Sequence, residues 1–354
     1  MLRPLILALA LAGPAPAQEA MPDAAELAAA LAAFDVPGAA MATLEGCAPG
    51  PTIVAGTADL GSGSGTGAPV TADTAFEAAS LTKPVFAVIV MQLVAEGTLD
   101  LDRPLAADGF AYPRIADADR YAALTPRMIL THRTGLPNWV DSVSPLAERV
   151  APIPFEAEPG TAFGYSGEGF QLLQAYVEHV EGVPLAALFQ ARLGAVMPRS
   201  VLTGPLPEGV APARGYESAA AGGPGRGLEV LDDAAMAASS LVTTAGDYAA
   251  FLGHVCRGAG LPPDLWAEML RAQSPAPPET IRVGADGPPP PPASWGLGWT
   301  IFDLGDATLA GHGGNNGAFT AFGGFLRETG EGLVILTNGA NGEALIQALL
   351  LPGG

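Results

Sequence analysis

Ser80 and Lys83, three residues apart, are a pair whose types and spacing could do covalent chemistry. Of the 16 basic residues, Lys83 is the one lysine and the rest are arginines. On a helix, a spacing of three puts both side chains on one face, about a turn apart, with the amine in reach of the hydroxyl. A serine hydroxyl is a poor nucleophile until a neighbour takes its proton. A lysine in an apolar, electropositive setting can have its pKa brought down from about 10.4 far enough to do so. Arginine cannot. The Ser80 amide and the helix dipole would favour negative charge where an oxyanion forms.

Two further segments could complete such a site. In EPGTAFGYSGEGFQLL (158–173) a glycine-rich turn presents Tyr165 just before a helix, and a tyrosine beside a lysine can act as a general base. A core tyrosine with a satisfied hydroxyl is the plain alternative. Ser166 does not head a nucleophile elbow, because that motif needs glycine two residues later and Glu168 stands there. In AGHGGNNGAF (310–319), Gly313 and Gly314 would let a ligand lie against a strand edge, with His312 as a polar head at its entrance. A hairpin turn is the alternative there. His132, His179 and His254 are too widely spread for a helical metal pair, so no metal site is expected.

The elements needed to hold these residues are legible in the periodicity. Asp23 and Glu26 open a capping-box helix through AAELAAALAAF, and AAMATLEG with TIVAGTADL reads as an antiparallel hairpin. LTKPVFAVIVMQLVAEG (81–97) is apolar on all sides and closes at Gly97, as a buried central helix should. Helical segments broken by Pro and Gly follow, notably 126–137 and 169–182. Then come SSLVTTAGDYAAFLGHV, a proline-rich surface loop at 275–292, the strand-like WGLGWTIF, TAFGGFLRE and GLVILTN, and a last helix, GEALIQALLL. Strands at both ends imply an α+β fold: an α/β lobe from 18–97 and 240–354, with a helical lobe at 98–239 inserted in it.

At 354 residues, 49% hydrophobic and 15% charged, the chain has ample material for such a core. The formal charge of -20 opposes binding to phosphate backbones or anionic membranes, so no nucleic-acid partner is expected. No phosphate-loop or Gly-x-Gly-x-x-Gly run occurs. Residues 1–17, MLRPLILALALAGPAPA, read as a signal peptide: one early arginine, an apolar run too short to span a bilayer, and an Ala-Pro-Ala ending. The mature chain, 18–354, is then one exported domain, periplasmic or secreted, with no stable membrane anchor and expected to be a monomer. An oxidising compartment would permit Cys47 and Cys256 to pair, and two separate buried thiols are the alternative.

In order, Ser80-Leu-Thr-Lys83, Tyr165-Ser-Gly167 and His312-Gly-Gly314 resemble the three motifs of the serine β-lactamase and penicillin-binding protein superfamily. The branch they resemble most holds class C β-lactamases, D-alanyl-D-alanine carboxypeptidases and related esterases. The connecting stretches DTAFEAASLTKP, ILTHRTGLPNW, SSLVTTAGDYAAF and WGLGW are similar to it too, so the resemblance covers nearly all the mature chain. It implies a β-lactamase/transpeptidase-like fold with a central antiparallel sheet. It also implies Ser80 as nucleophile, Lys83 and Tyr165 as proton carriers, and the amides of Ser80 and Asn315 as oxyanion hole. His312, Gly313, Gly314 and Gly167 would border the substrate. Which of Lys83 and Tyr165 is the acylation base stays open.

Two positions depart from the pattern. Gly167 replaces an asparagine that binds the acyl amide of β-lactams, and His312 replaces a lysine that binds the substrate carboxylate. With an unperturbed pKa near 6.5, His312 would be partly protonated at neutral pH, so binding of anionic substrates should improve toward pH 6. The expected function is a secreted serine hydrolase forming an acyl-enzyme on a small-molecule or short-peptide ester or amide, with no cofactor. A D-amino-acid peptidase or weak β-lactamase is the enzymatic alternative, and a non-catalytic peptide-binding or scaffold relative is the other. Pyridoxal phosphate on Lys83 is set aside, because nothing nearby would supply its phosphate or pyridine contacts.

Overall fold

The computed structural model describes residues 22–61, 67–141, 149–220, 225–232, 234–277 and 291–350. The signal-peptide segment, most of the GSGSGTG loop and most of the proline-rich loop lie outside the described residues.

Nine strands form one antiparallel sheet in the order β3-β2-β1-β12-β11-β10-β9-β8-β7. They are β1 (Gly38–Glu45), β2 (Ala48–Asp59) and β3 (Ala68–Pro69) from the N-terminal side. From the C-terminal side come β7 (Ser274–Pro275), β8 (Ala293–Trp295), β9 (Thr300–Asp303), β10 (Thr308–Asn315), β11 (Thr320–Leu326) and β12 (Gly332–Thr337). Strands from the two halves of the sequence meet where β1 pairs with β12, Ala39 opposite Thr337. The strand period of two divides the side chains between two layers. Met41 and Ile335 pack with Leu27, Leu31 and Leu345 of helices α1 (Ala24–Ala33) and α9 (Gly342–Leu350), which follows the short α8 (Pro263–Met269). Ala40, Ala42, Val334 and Leu336 join the larger core on the opposite face, with Phe251 and Leu252 of α7 (Ala245–Cys256).

Helix α2 (Thr82–Ala95) runs through that larger core, every residue from Thr82 to Met91 buried. It is entered from β4 (Thr74–Ala79), which belongs to a second sheet ordered β5-β4-β6, with β5 at Ala211–Pro212 and β6 at Leu241–Thr243. The inserted segment carries less helix than its sequence suggests. Its longer helices are α5 (Gly167–Glu181) and α6 (Leu185–Leu193), beside short turns α3 (Ala118–Tyr121) and α4 (Pro126–Leu130). The expected helix at 126–137 stops early because His132 takes φ 54° and Gly135 φ 74°, both outside helical space. WGLGWTIF likewise breaks into β8 and β9 at a turn with Gly298 at φ 80°.

Candidate active site

Ser80 stands at the junction of β4 and α2, and the junction is held by bonds that do not use its hydroxyl. Ala79 adopts φ 50°, a conformation that costs an alanine energy and turns the chain sharply out of the strand. Thr82 Oγ1 donates to Ala79 O (2.6 Å) and accepts from Leu241 N (2.9 Å), and Tyr248 of α7 donates to Leu81 O (3.2 Å). Pro84 sits in the first turn of α2, where its missing N–H costs nothing.

One turn on, the Lys83 side chain is buried with its Nζ 3.1 Å from Ser80 Oγ and 2.8 Å from Ala238 O. Among the described residues no carboxylate pairs with it. Burial without a counter-charge disfavours the ammonium, so its pKa falls to about 7. Aromatic rings surround it, with the centre of the Tyr165 ring 4.8 Å from Nζ and that of Phe170 5.4 Å away.

Tyr165 is half-buried and precedes α5 by two residues. Desolvation raises its phenol above the ordinary range, and a hydrogen bond with Ser80 opposes this. The rise keeps the phenol protonated at neutral pH, so Tyr165 carries a proton it could give. Ser166 is structural: its hydroxyl donates to Pro137 O (2.7 Å) and accepts from Gly169 N (2.9 Å), capping α5.

His132, set aside in the sequence as part of no metal pair, lies under this group. Its ring stacks on Tyr165 at 4.3 Å, lies 5.2 Å from Phe170 and meets Trp295 edge-on at 5.4 Å. Nδ1 accepts from Ser166 N (3.0 Å), which places the proton of the neutral ring on Nε2. Burial first, then Lys83 and His312, hold it well below the usual imidazole range, so it is neutral. The stretches ILTHRTGLPNW and WGLGW signalled this packing only through the resemblance.

His312 requires a correction. On β10 it is buried, not a polar head at an entrance: Nδ1 lies 2.6 Å from Gly313 O, and its ring centre is 6.1 Å from that of Tyr165 and 5.9 Å from that of Trp295. Desolvation, then Lys83, bring its pKa to about 3, against a smaller contribution from Gly313. It is neutral throughout the physiological range, and Nδ1 must donate to the carbonyl, leaving Nε2 unprotonated. The partial charge expected from an unperturbed histidine is absent because the ring is buried beside Lys83.

Gly313 is exposed, whereas Gly314 lies against β4 so closely that a Cβ would come within 2.2 Å of Ala78 O. That contact brings the following amide, of Asn315, to the Ser80 end of β4. The Asn315 side chain turns outward, its Nδ2 donating to Glu343 (3.1 Å) and its Oδ1 accepting from Gly317 N (2.8 Å). Gly167 opens α5, and its N–H bonds both Oδ1 (3.0 Å) and O (3.1 Å) of Asn138. A Cβ there would lie 2.4 Å from Cζ2 of the neighbouring Trp139, whose indole covers this position. The Arg149 guanidinium is 4.9 Å from the same ring. Trp139 gave no signal in the sequence beyond its place in GLPNW. Among the described residues no group of three or more acidic, histidine or cysteine side chains could hold a metal, and no helix is long and apolar enough to cross a membrane.

A serine hydroxyl, a buried lysine amine and a tyrosine phenol meet where a helical segment joins a large antiparallel sheet, a constellation able to carry hydrolysis through a serine. The family model for Beta-lactamase matches residues 24–350, and the chain belongs to that family. It is 26% identical over 296 residues to penicillin-binding protein 4 of Amycolatopsis lactamdurans, covering 78% of this chain and 75% of that one. It is 35% identical over 147 residues to esterase EstB of Burkholderia gladioli, a match spanning 35% of this chain and 37% of the esterase. Among solved structures, D-amino acid amidase of Ochrobactrum anthropi SV3 superposes with a TM-score of 0.69 at 24% identity, covering 92% of this chain and 96% of the amidase. The octameric penicillin-binding protein homologue of Pyrococcus abyssi superposes at 0.72 with 21% identity, covering 92% and 74%. These likenesses bear out the β-lactamase/transpeptidase-like α+β fold.

Proposed function

We propose that this chain is an exported serine hydrolase that forms an acyl-enzyme on small esters or amides lacking an essential carboxylate, and that it reacts slowly or not at all with β-lactams. The observation that carries the reading is the buried Lys83 amine, 3.1 Å from Ser80 Oγ with a pKa of about 7. Half of such amines are neutral at pH 7, and a neutral amine has a lone pair for the Ser80 proton.

As Ser80 Oγ bonds the carbonyl carbon, its proton passes to Lys83 Nζ, and the amides of Ser80 and Asn315 receive the oxyanion. When the bond to the leaving group breaks, Tyr165 gives up its phenolic proton to the departing oxygen or nitrogen and regains one from the Lys83 ammonium. Water then attacks the ester, its proton taken by Lys83 and one returned to Ser80 Oγ as the acid leaves. The acylation base in this reading is Lys83, because Tyr165 is held as the phenol.

Two features support esters or simple amides over β-lactams. The neutral His312 offers no cation to a carboxylate, and the Trp139 indole stands where a second-motif side chain would reach the acyl amide. The test is intact-protein mass spectrometry after exposure to a fluorophosphonate, a short-chain nitrophenyl ester, a D-amino-acid amide and a chromogenic cephalosporin. One adduct on Ser80 with the first probe, turnover of the second or third, and loss of both in Ser80→Ala are expected. A folded protein with no adduct on Ser80 would show a non-catalytic relative, and rapid acylation by the cephalosporin would make it a β-lactamase.

A further inference from the structure

We propose that Glu77, through Arg226 and Asn316, is a positioning residue that fixes the Asn315 amide against Ser80 and so sets the oxyanion hole. The proposal rests on the reading of Ser80 as the nucleophile. Glu77 is on β4, three residues before Ser80, and its side chain is wholly buried. Its carboxylate accepts from Arg226 Nη2 (2.8 Å) and Nη1 (3.2 Å) and from Asn316 Nδ2 (3.0 Å). Arg226 Nη2 also donates to Asn316 O (3.3 Å), so Asn316 is held by both its side chain and its backbone. Arg226 is itself anchored: its backbone pairs with Gly215 in both directions, and its guanidinium lies 5.2 Å from the Phe319 ring centre.

Asn315 therefore lies between two attachments to β4. Before it, Gly314 packs on Ala78 without room for a Cβ, and after it, Asn316 is clamped to Glu77. The amide between them has little freedom to drift from Ser80. A buried ion pair is a weak source of stability, since apolar residues of similar volume commonly do as well. Its place, at the crossing of the strand that delivers the nucleophile and the strand that delivers the second amide, matches a geometric role. Oxyanion donors act over a narrow range, about 2.7–3.1 Å, and losing one costs about 10²–10³ in kcat. A donor shifted but retained should lose less.

The experiment compares Asn316→Ala, which cuts one tie and leaves the Glu77–Arg226 pair, with Glu77→Gln, which weakens the whole clamp. Each variant is first counted by fluorophosphonate labelling of Ser80, and kcat and KM are then measured on a nitrophenyl ester and on its thionoester analogue. A thionoester's sulfur is a poor hydrogen-bond acceptor and draws little on the amides. For the oxygen ester, kcat should fall about 10-fold in Asn316→Ala and up to about 100-fold in Glu77→Gln, with KM within about threefold. The thionoester rate should fall less than about threefold in both. Equal losses on the two substrates would make the clamp merely structural, and unchanged kcat in labelled Asn316→Ala would overturn the proposal. An unlabelled wild type would overturn the hydrolase reading itself, and the inference with it. If Glu77→Gln does not fold, the oxygen-to-thiono ratio in Asn316→Ala decides the question.

Discussion

At the residue scale, the proposed acyl transfer rests on one buried amine, and its pH dependence follows. With Lys83 at about 7, kcat/KM on a neutral ester should rise tenfold per pH unit below 7 and level off above it, because the neutral amine is the active form. Lys83→Arg should abolish the rise and nearly all turnover. A profile flat from pH 5 to 8 would remove Lys83 as the base. His312, at about 3, cannot add a second step in that range, so the ratio of kcat/KM for an anionic and a neutral ester should also be flat from pH 5 to 8. A ratio that climbs toward pH 6 would mean the imidazole is wet and charged. Gly167 can be tested beside Trp139. Gly167→Asn should cost about 1–3 kcal/mol in a denaturant melt, because the new side chain overlaps the indole, and should not bring on cephalosporin acylation. In the Trp139→Ala background the same substitution should cost little, and strictly additive effects would show that the two positions do not touch.

At the element scale, α2 is an apolar helix that carries one ionisable group into the core, and the cost of doing so is measurable. The folded pKa of Lys83 is lowered, from about 10.4 in the unfolded chain to about 7, so between those values the unfolded state holds more protons. Stability should then rise with pH from about 7 to about 10 and be insensitive to this group below 7. Lys83→Met should be more stable than the parent by roughly 2 kcal/mol at pH 7, after allowing for the lost bond to Ala238 O. The difference should move by about 3 kcal/mol in the parent's favour between pH 7 and 9.5. A constant difference across that range would mean Lys83 stays charged. The same helix shows what was legible in the sequence. Its apolar periodicity and the strands at both ends marked the elements, and the order of the Ser80, Tyr165 and His312 segments, through the family resemblance, marked the fold and the candidate site. Ala79 and His132 at positive φ, the Trp139 indole on Gly167 and the Glu77 clamp were not legible. Each depends on contacts between segments far apart in the chain, which local periodicity does not encode.

At the scale of the whole molecule, the two chain ends share one sheet, and a covalent tie reinforces the union. Cys47, in the β1–β2 turn, is bonded to Cys256 at the end of α7, with Cα atoms 5.6 Å apart and a sequence separation of 209. The pairing that composition left open is therefore made, and it encloses both Ser80 and the inserted segment. Closing so long a loop restricts the unfolded chain more than the folded one, and in the chain-entropy view is worth roughly 5 kcal/mol. Such a bond persists in an oxidising compartment, which agrees with the proposed export through residues 1–17. Protein recovered from the periplasm or medium should begin at Gln18, weigh two hydrogens less than its reduced form, and give no thiol reaction when unfolded. Cys47→Ala with Cys256→Ala should lower the melting midpoint by several degrees while leaving ester turnover at 25 °C largely intact, because the β1–β2 turn and the end of α7 supply no residue to the proposed site. An N-terminus at Met1, or two reactive thiols in exported protein, would remove the proposal of export. An unchanged midpoint would mean that the β1–β12 pairing alone holds the two ends together.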